Sequence, residues 1–150
     1  MLKINFAKVK PSAIIPSKRL EDGAFDVYAC FEEDFITFEP HETKLVPTGL
    51  ASAFSTDYVA ILKERGSTGT KGIGQRCGVV DSGYRGEWFV PMTNHNNKRL
   101  VIAKESVAQN FEDCIVYPYE KAIAQCMMVE VPKMAIEEIS YEDLLKIESE

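Results

Sequence analysis

Polar and apolar residues alternate in short runs along most of this chain. Lys3 to Val9 alternates in steps of two, the pattern of a half-buried strand. Tyr28 to Phe38, Lys44 to Phe54 and Tyr58 to Leu62 are rich in Val, Ile, Phe, Tyr and Thr, which favour extended backbone. Glu87 to Met92, Arg99 to Ala103, Cys114 to Tyr117 and Ala122 to Val131 continue the theme. Pro40, Pro47, Gly49, Pro91, Pro118 and Pro132 interrupt these runs at short intervals. Many short strands with frequent turns predict an all-β sandwich or barrel. One or two short helices are expected beside them. The first lies within Ser67 to Gly74, where the glycines limit its length. The second runs from Tyr141 to Ile147, capped by Ser140 with Asp143 three residues on. The tail from Lys133 to Glu150 is expected to be a solvated helix with a frayed end. No repeat, linker or low-complexity tract divides the chain, so residues 1–150 are expected to form a single domain.

Charge and length narrow the function classes. The chain has 150 residues, 17 Lys plus Arg and 23 Asp plus Glu, for a formal charge of −6. That balance argues against a general nucleic-acid binder, which needs a large basic face to neutralise phosphates. No stretch approaches the 18 apolar residues of a membrane span. Cys30, Cys77, Cys114 and Cys126 form no C-x-x-C pair, which disfavours a zinc ribbon or a thioredoxin-like site. The N-terminus, MLKINFAKVK, lacks the apolar core of a signal peptide. A reducing, cytoplasmic setting is expected, with the cysteines acting mainly as small buried hydrophobes. His41 and His95 have no acidic cluster around them, so each is expected on a loop or the surface rather than in a metal site or a catalytic triad.

The chemistry concentrates in one window. Seven of the nine glycines fall between Gly66 and Gly86, in RGSTGTKGIGQRCGVVDSGYRG. Glycine permits positive φ and close approach of backbone to a ligand, and successive N–H groups in such turns can cradle phosphate oxygens. Lys63, Arg65, Lys71 and Arg76 oppose only Glu64 here, and Ser67, Thr68 and Thr70 add hydroxyl groups. The combination suits an anionic ligand such as a phosphate ester. The bland alternative is a Gly-rich hairpin with solvated charges. It is not a P-loop, because G-x-x-x-x-G-K-[ST] cannot be laid on these residues. Asp81, after Val79-Val80 and before Ser82-Gly83, is placed either to take a proton from water or to make an Asx-turn. Tyr84 can stack on a sugar or base, or fill the core. Asp26 lies within an apolar, strand-like run and needs a partner: a cation, a metal-bound water or a buried Arg.

Several segments together resemble the trimeric dUTPase family. GAFDVYA is similar to its first motif, A-G-x-D-L-x-A, and ERGSTGTKG to its second, P-R-S-[SG]-x-x-x-K. GVVDSGYRGE resembles the third, G-V-I-D-x-D-Y-R-G-E, and EKAIAQ the fourth, G-D-R-I-A-Q. LVPTGL is also a common phrase of the family. The motifs stand in order from Gly23 to Gln125. The resemblance implies a distorted jelly-roll or β-barrel-like subunit, a homotrimer with active sites between subunits, and Mg²⁺-assisted hydrolysis of dUTP to dUMP and pyrophosphate. It implies that Asp81 activates the water that attacks the α-phosphorus and that Tyr84 packs under the deoxyribose. The hairpin from Gln75 to Asp81 would read uracil through backbone groups, with Val79 and Val80 in the wall and Phe89 further along. Arg65, Gly66, Ser67 and Gln125 would meet the phosphates. Asp26 would act on the metal through its water shell.

The departures shape further expectations. Gly66 stands where the second motif has its first serine, and Glu120-Lys121-Ala122 where the fourth has G-D-R. The family's fifth motif, a Gly-rich arm, does not follow Glu150 in this sequence, from which substrate binding with reduced turnover is expected. Two alternatives stand beside hydrolysis. One is a dCTP deaminase, whose fold is shared but whose catalytic glutamate has no counterpart in the middle of the matching stretch, EWFVPMTN. The other is a dUTP-binding protein that engages a regulatory protein partner.

Overall fold

The computed structural model describes residues 1–149. Twelve short strands carry the fold: β1 Asn5–Lys8, β2 Phe25–Val27, β3 Phe35–Phe38, β4 Thr43–Pro47, β5 Leu50–Ala53, β6 Tyr58–Lys63, β7 Ile73–Gln75, β8 Val79–Val80, β9 Phe89–Asn94, β10 Leu100–Ala103, β11 Ile115–Pro118 and β12 Ala124–Glu130. They form small sheets ordered β1-β5, β11-β10-β3, β2-β12-β6-β8 and β4-β9-β7. Every pairing is antiparallel except β10 with β11. Two one-turn helices, α1 Gly66–Gly69 and α2 Tyr141–Leu144, and a 3-10 turn at Ala108–Asn110 complete it. This is the all-β architecture that the strand pattern predicted, in the jelly-roll-like form that the family resemblance implied.

Side chains from several sheets close one core. Trp88, Tyr117, Phe38, Leu50, Met92 and Ile102 are among its largest members, each fully buried. Trp88 donates its indole N–H to Ser52 Oγ at 3.0 Å, so its burial leaves no orphan donor. Phe6 on β1 packs edge-on against both Trp88 and Phe25, at 5.3 and 5.8 Å between ring centres, and ties the N-terminal strand to the core.

Two predicted runs divide. Only the end of Tyr28–Phe38 becomes β3. Ala29, Cys30 and Phe31 are all buried, and three consecutive inward side chains do not fit a strand with alternating faces. The run Lys44–Phe54 breaks at Thr48-Gly49. Gly49 has φ +70°, and a Cβ there would stand 2.8 Å from that of Ala13, so glycine is required at this corner. The helix expected within Ser67–Gly74 shrinks to one turn and begins earlier, at Gly66.

The cap on the second helix forms as expected, Ser140 Oγ accepting from Asp143 N at 3.1 Å. Residues 132–149 are exposed throughout, and Glu150 lies outside the described residues. The cysteines divide: Cys30 and Cys126 are buried, and burial pushes the Cys126 thiol up to about 12, but Cys114 is half-buried and Cys77 exposed. Among the described residues no helix is long and apolar enough to cross a membrane.

Candidate active site

Strand register builds the first half of the site. Asp26 on β2 pairs with Gln125 on β12, which pairs in turn with Lys63 on β6. Residues directly opposite on neighbouring strands share a face, so these three side chains form one row. Beyond Lys63 the backbone stays extended at Arg65 and then makes the single turn of α1. That reversal carries Arg65 back over the row. Its Nε donates to Asp26 Oδ1 at 3.0 Å, and its terminal nitrogen donates to Ser67 Oγ at 2.9 Å and to the Ala122 carbonyl at 3.2 Å. Ser67 Oγ lies 3.2 Å from the Tyr117 hydroxyl. Gln125 donates through Nε2 to the Glu64 carbonyl at 2.8 Å. The in-strand acid thus finds its partner in an arginine, the third of the three partners its setting called for.

Tyr117 and Glu64 belong to this network without having stood out in the sequence. Tyr117 reads there only as the end of a strand-like run, and Glu64 as the lone acid in a basic stretch. Asp26 and Gln125 also line an open polar cavity of about 400 Å³ with Ser17, Arg19 and Asp22. On its rim Arg19 hydrogen-bonds Asp22 and holds that carboxyl below its usual range. Gly66 is exposed on α1, and its α-carbon faces open space.

The second half is a cavity of about 220 Å³ whose lining includes Cys77, Gly78, Val79, Val80, Asp81, Tyr84 and Phe89. The hairpin ahead of β8 reverses through two left-handed residues, Cys77 at φ +58° and Gly78 at φ +116°. Leu62 N donates to the Gly78 carbonyl at 2.7 Å, and a Cβ on Gly78 would sit 2.7 Å from the Leu62 carbonyl oxygen. A side chain at Gly78 would therefore push the hairpin off β6. After β8 the chain turns, Tyr84 N donating to the Asp81 carbonyl at 3.1 Å. Tyr84 folds back over Gly86, where a Cβ would meet its hydroxyl at 2.5 Å, and donates to the Glu87 carbonyl at 2.9 Å. Among the described residues the Asp81 carboxylate has no hydrogen-bond or ion-pair partner, and Asp81 is exposed. An open, unpaired carboxylate beside an aromatic face and an apolar wall can accept a proton from a water held against a ligand there.

The structure therefore brings Val79, Val80, Asp81, Tyr84 and Phe89 together, and separately Asp26, Arg65, Ser67 and Gln125. The Asp81 cavity includes none of the latter four. The side chain of Gln75, at the start of the hairpin, turns inward: both amide atoms are buried without a hydrogen-bond partner among the described residues, and it lines a different cavity with His95 and Glu64.

No group of three or more His, Cys, Asp or Glu side chains converges on a metal position among the described residues. Magnesium does not require one, because it keeps several waters and takes one or two carboxylates plus substrate phosphates. Asp26 and Gln125 on an open polar cavity are a donor set that fits a hydrated magnesium ion.

The dUTPase family model matches residues 10–146. The chain belongs to the dUTPase family. Curated dUTPase relatives include the deoxyuridine 5'-triphosphate nucleotidohydrolase of Leptospira interrogans, 31% identical over 105 residues, covering 67% of this chain and 72% of that one. The enzyme of the same name from Nautilia profundicola is 30% identical over 138 residues, covering 89% and 90%. Among solved structures, a mutant dUTPase from phage phi11 of S. aureus, described with a structural Mg(II) ion, superposes with a TM-score of 0.72. It covers 93% of this chain and 99% of its own at 15% identity, a likeness of fold.

Proposed function

We propose that this dUTPase-family chain hydrolyses dUTP to dUMP and pyrophosphate. The observation that carries the reading is the unpaired Asp81 carboxylate, held by a tight turn next to Tyr84 at the mouth of a hairpin cavity. Asp81 takes a proton from water as the water oxygen bonds to the α-phosphorus. The bond from that phosphorus to the bridging oxygen breaks, and pyrophosphate leaves. Val79, Val80 and Phe89 enclose the base, and the backbone of the Cys77-Gly78 hairpin offers the polar groups that read it. A base whose edge leaves those groups unpaired loses about 1–3 kcal/mol for each. Tyr84 faces the deoxyribose.

Arg65 and Ser67 hold phosphate oxygens, with Gln125 beside them on β12 and Gly66 leaving room at the loop. Asp26, with Gln125 beside it, would hold hydrated magnesium through its water shell, and the ion would supply neutralisation of the charge that builds on the departing pyrophosphate.

A homotrimer with sites between subunits follows from the same reading. Each chain carries two half-sites lining different cavities, and a second copy can bring one against the other. The exposed apolar residues Met134, Ile136, Ile139, Leu144 and Leu145 on the tail support burial against such a copy. Four free cysteines, one of them exposed, support a reducing, cytoplasmic setting. The test is pyrophosphate release from dUTP, dTTP, dCTP and UTP with and without Mg²⁺, alongside sedimentation of the protein. Release from dUTP alone, dependent on Mg²⁺ and sedimenting as a trimer, is expected. Ammonia released from dCTP would overturn the hydrolase reading.

A further inference from the structure

Lys121 stands where the fourth motif has its aspartate, and Ala122 where it has its arginine. The substitution moves the motif's positive charge one residue back along the chain and removes its negative one. Pro118 to Lys121 forms the turn between β11 and β12, closed by Lys121 N donating to the Pro118 carbonyl at 3.1 Å. The neighbouring Glu120 is turned away, its carboxylate accepting from Glu105 N at 3.1 Å. Lys121 is thus left without an ion pair among the described residues, as is Lys71 at the end of the α1 loop.

Both ammonium groups lie against the same buried ring. Lys71 Nζ is 5.6 Å and Lys121 Nζ 5.9 Å from the centre of Tyr117. The ring face attracts each cation, but the two cations repel one another. The hydroxyl of that ring bonds to Ser67 Oγ, which bonds to Arg65. The two lysines therefore stand one aromatic ring beyond the residues that meet the phosphates, in a protein of net charge −6. Two cations without ion-pair partners on one ring, whose hydroxyl bonds into the Arg65–Ser67 loop, match an extended polyanion better than a single phosphate.

We propose that Lys121, together with Lys71, binds the terminal phosphates of the nucleotide. The proposal rests on the reading of dUTP as substrate and adds the residues that distinguish its triphosphate tail from a monophosphate.

The test is calorimetric binding of dUMP and of a dUTP analogue with an imido bridge between the α and β phosphorus atoms, both with Mg²⁺. Wild type, Lys121→Met, Lys71→Met and Lys121→Arg are compared, with thermal melting to show that each variant folds. Lys121→Met should weaken the analogue about threefold to tenfold, the range of a charge-assisted contact at a part-exposed site. It should leave dUMP within about twofold, and its analogue affinity should depend less steeply on salt. Lys121→Arg should restore the difference. Unchanged analogue affinity in Lys121→Met, or equal weakening of dUMP, overturns the proposal alone. A wild-type protein that binds neither nucleotide overturns both the proposal and the dUTP reading beneath it.

Discussion

The two halves of the candidate site are built on opposite plans. Around Arg65 the side chains bond to one another and to nearby carbonyls: Arg65 with Asp26, Ser67 with Arg65 and Tyr117, Gln125 with the Glu64 carbonyl. Around Asp81 the backbone does the holding, through the left-handed hairpin and the Asp81–Tyr84 turn, and the carboxylate is left free. The difference follows from the tasks proposed for them. A loop that receives a polyanion carries charges that would otherwise drift, and mutual bonds keep them oriented before the ligand arrives. A general base bound to a neighbour would be weakened as a proton acceptor, so its position has to come from main-chain geometry.

Substitutions on each side test that contrast. Asp81→Asn preserves shape and removes the proton acceptor. Turnover should fall by about 10²–10⁴ with analogue affinity within about threefold, read by steady-state rates and calorimetry. Undiminished turnover would place water activation elsewhere. Arg65→Met should show the reverse emphasis. Analogue affinity should drop about tenfold to a hundredfold, because the phosphates lose a charge-assisted donor and Asp26 loses its counter-ion.

A third comparison separates main-chain positioning from side-chain bonding. Gly78→Ala forces a Cβ against the Leu62 carbonyl at φ +116° and should cost about 1–3 kcal/mol in denaturant unfolding. Gly83→Ala, with open space around it, should stay within about 0.5 kcal/mol. Tyr84→Phe should fall between the two: it loses one hydrogen bond to the Glu87 carbonyl, about 1 kcal/mol, and should weaken nucleotide binding less than tenfold.

Much of this was readable along the chain because it is local. Short Val- and Ile-rich runs declared strands, Ser140 with Asp143 declared a helix start, and the Gly-rich window marked the loops that carry the site. Where the reading failed, a distant contact had overruled a local preference. Tyr28 to Phe31 has strand composition but is drawn inward on consecutive residues, with Cys30 N bonded to the Pro47 carbonyl.

What the chain settled unaided was its class of fold and its family motifs. Each of these depends on the order and period of neighbouring residues. Only tertiary structure could join Asp26 to Arg65, separate the Asp81 cavity from the Arg65 loop, and stand Lys71 and Lys121 on one tyrosine. Those pairings cross tens of residues, and strand register decides them.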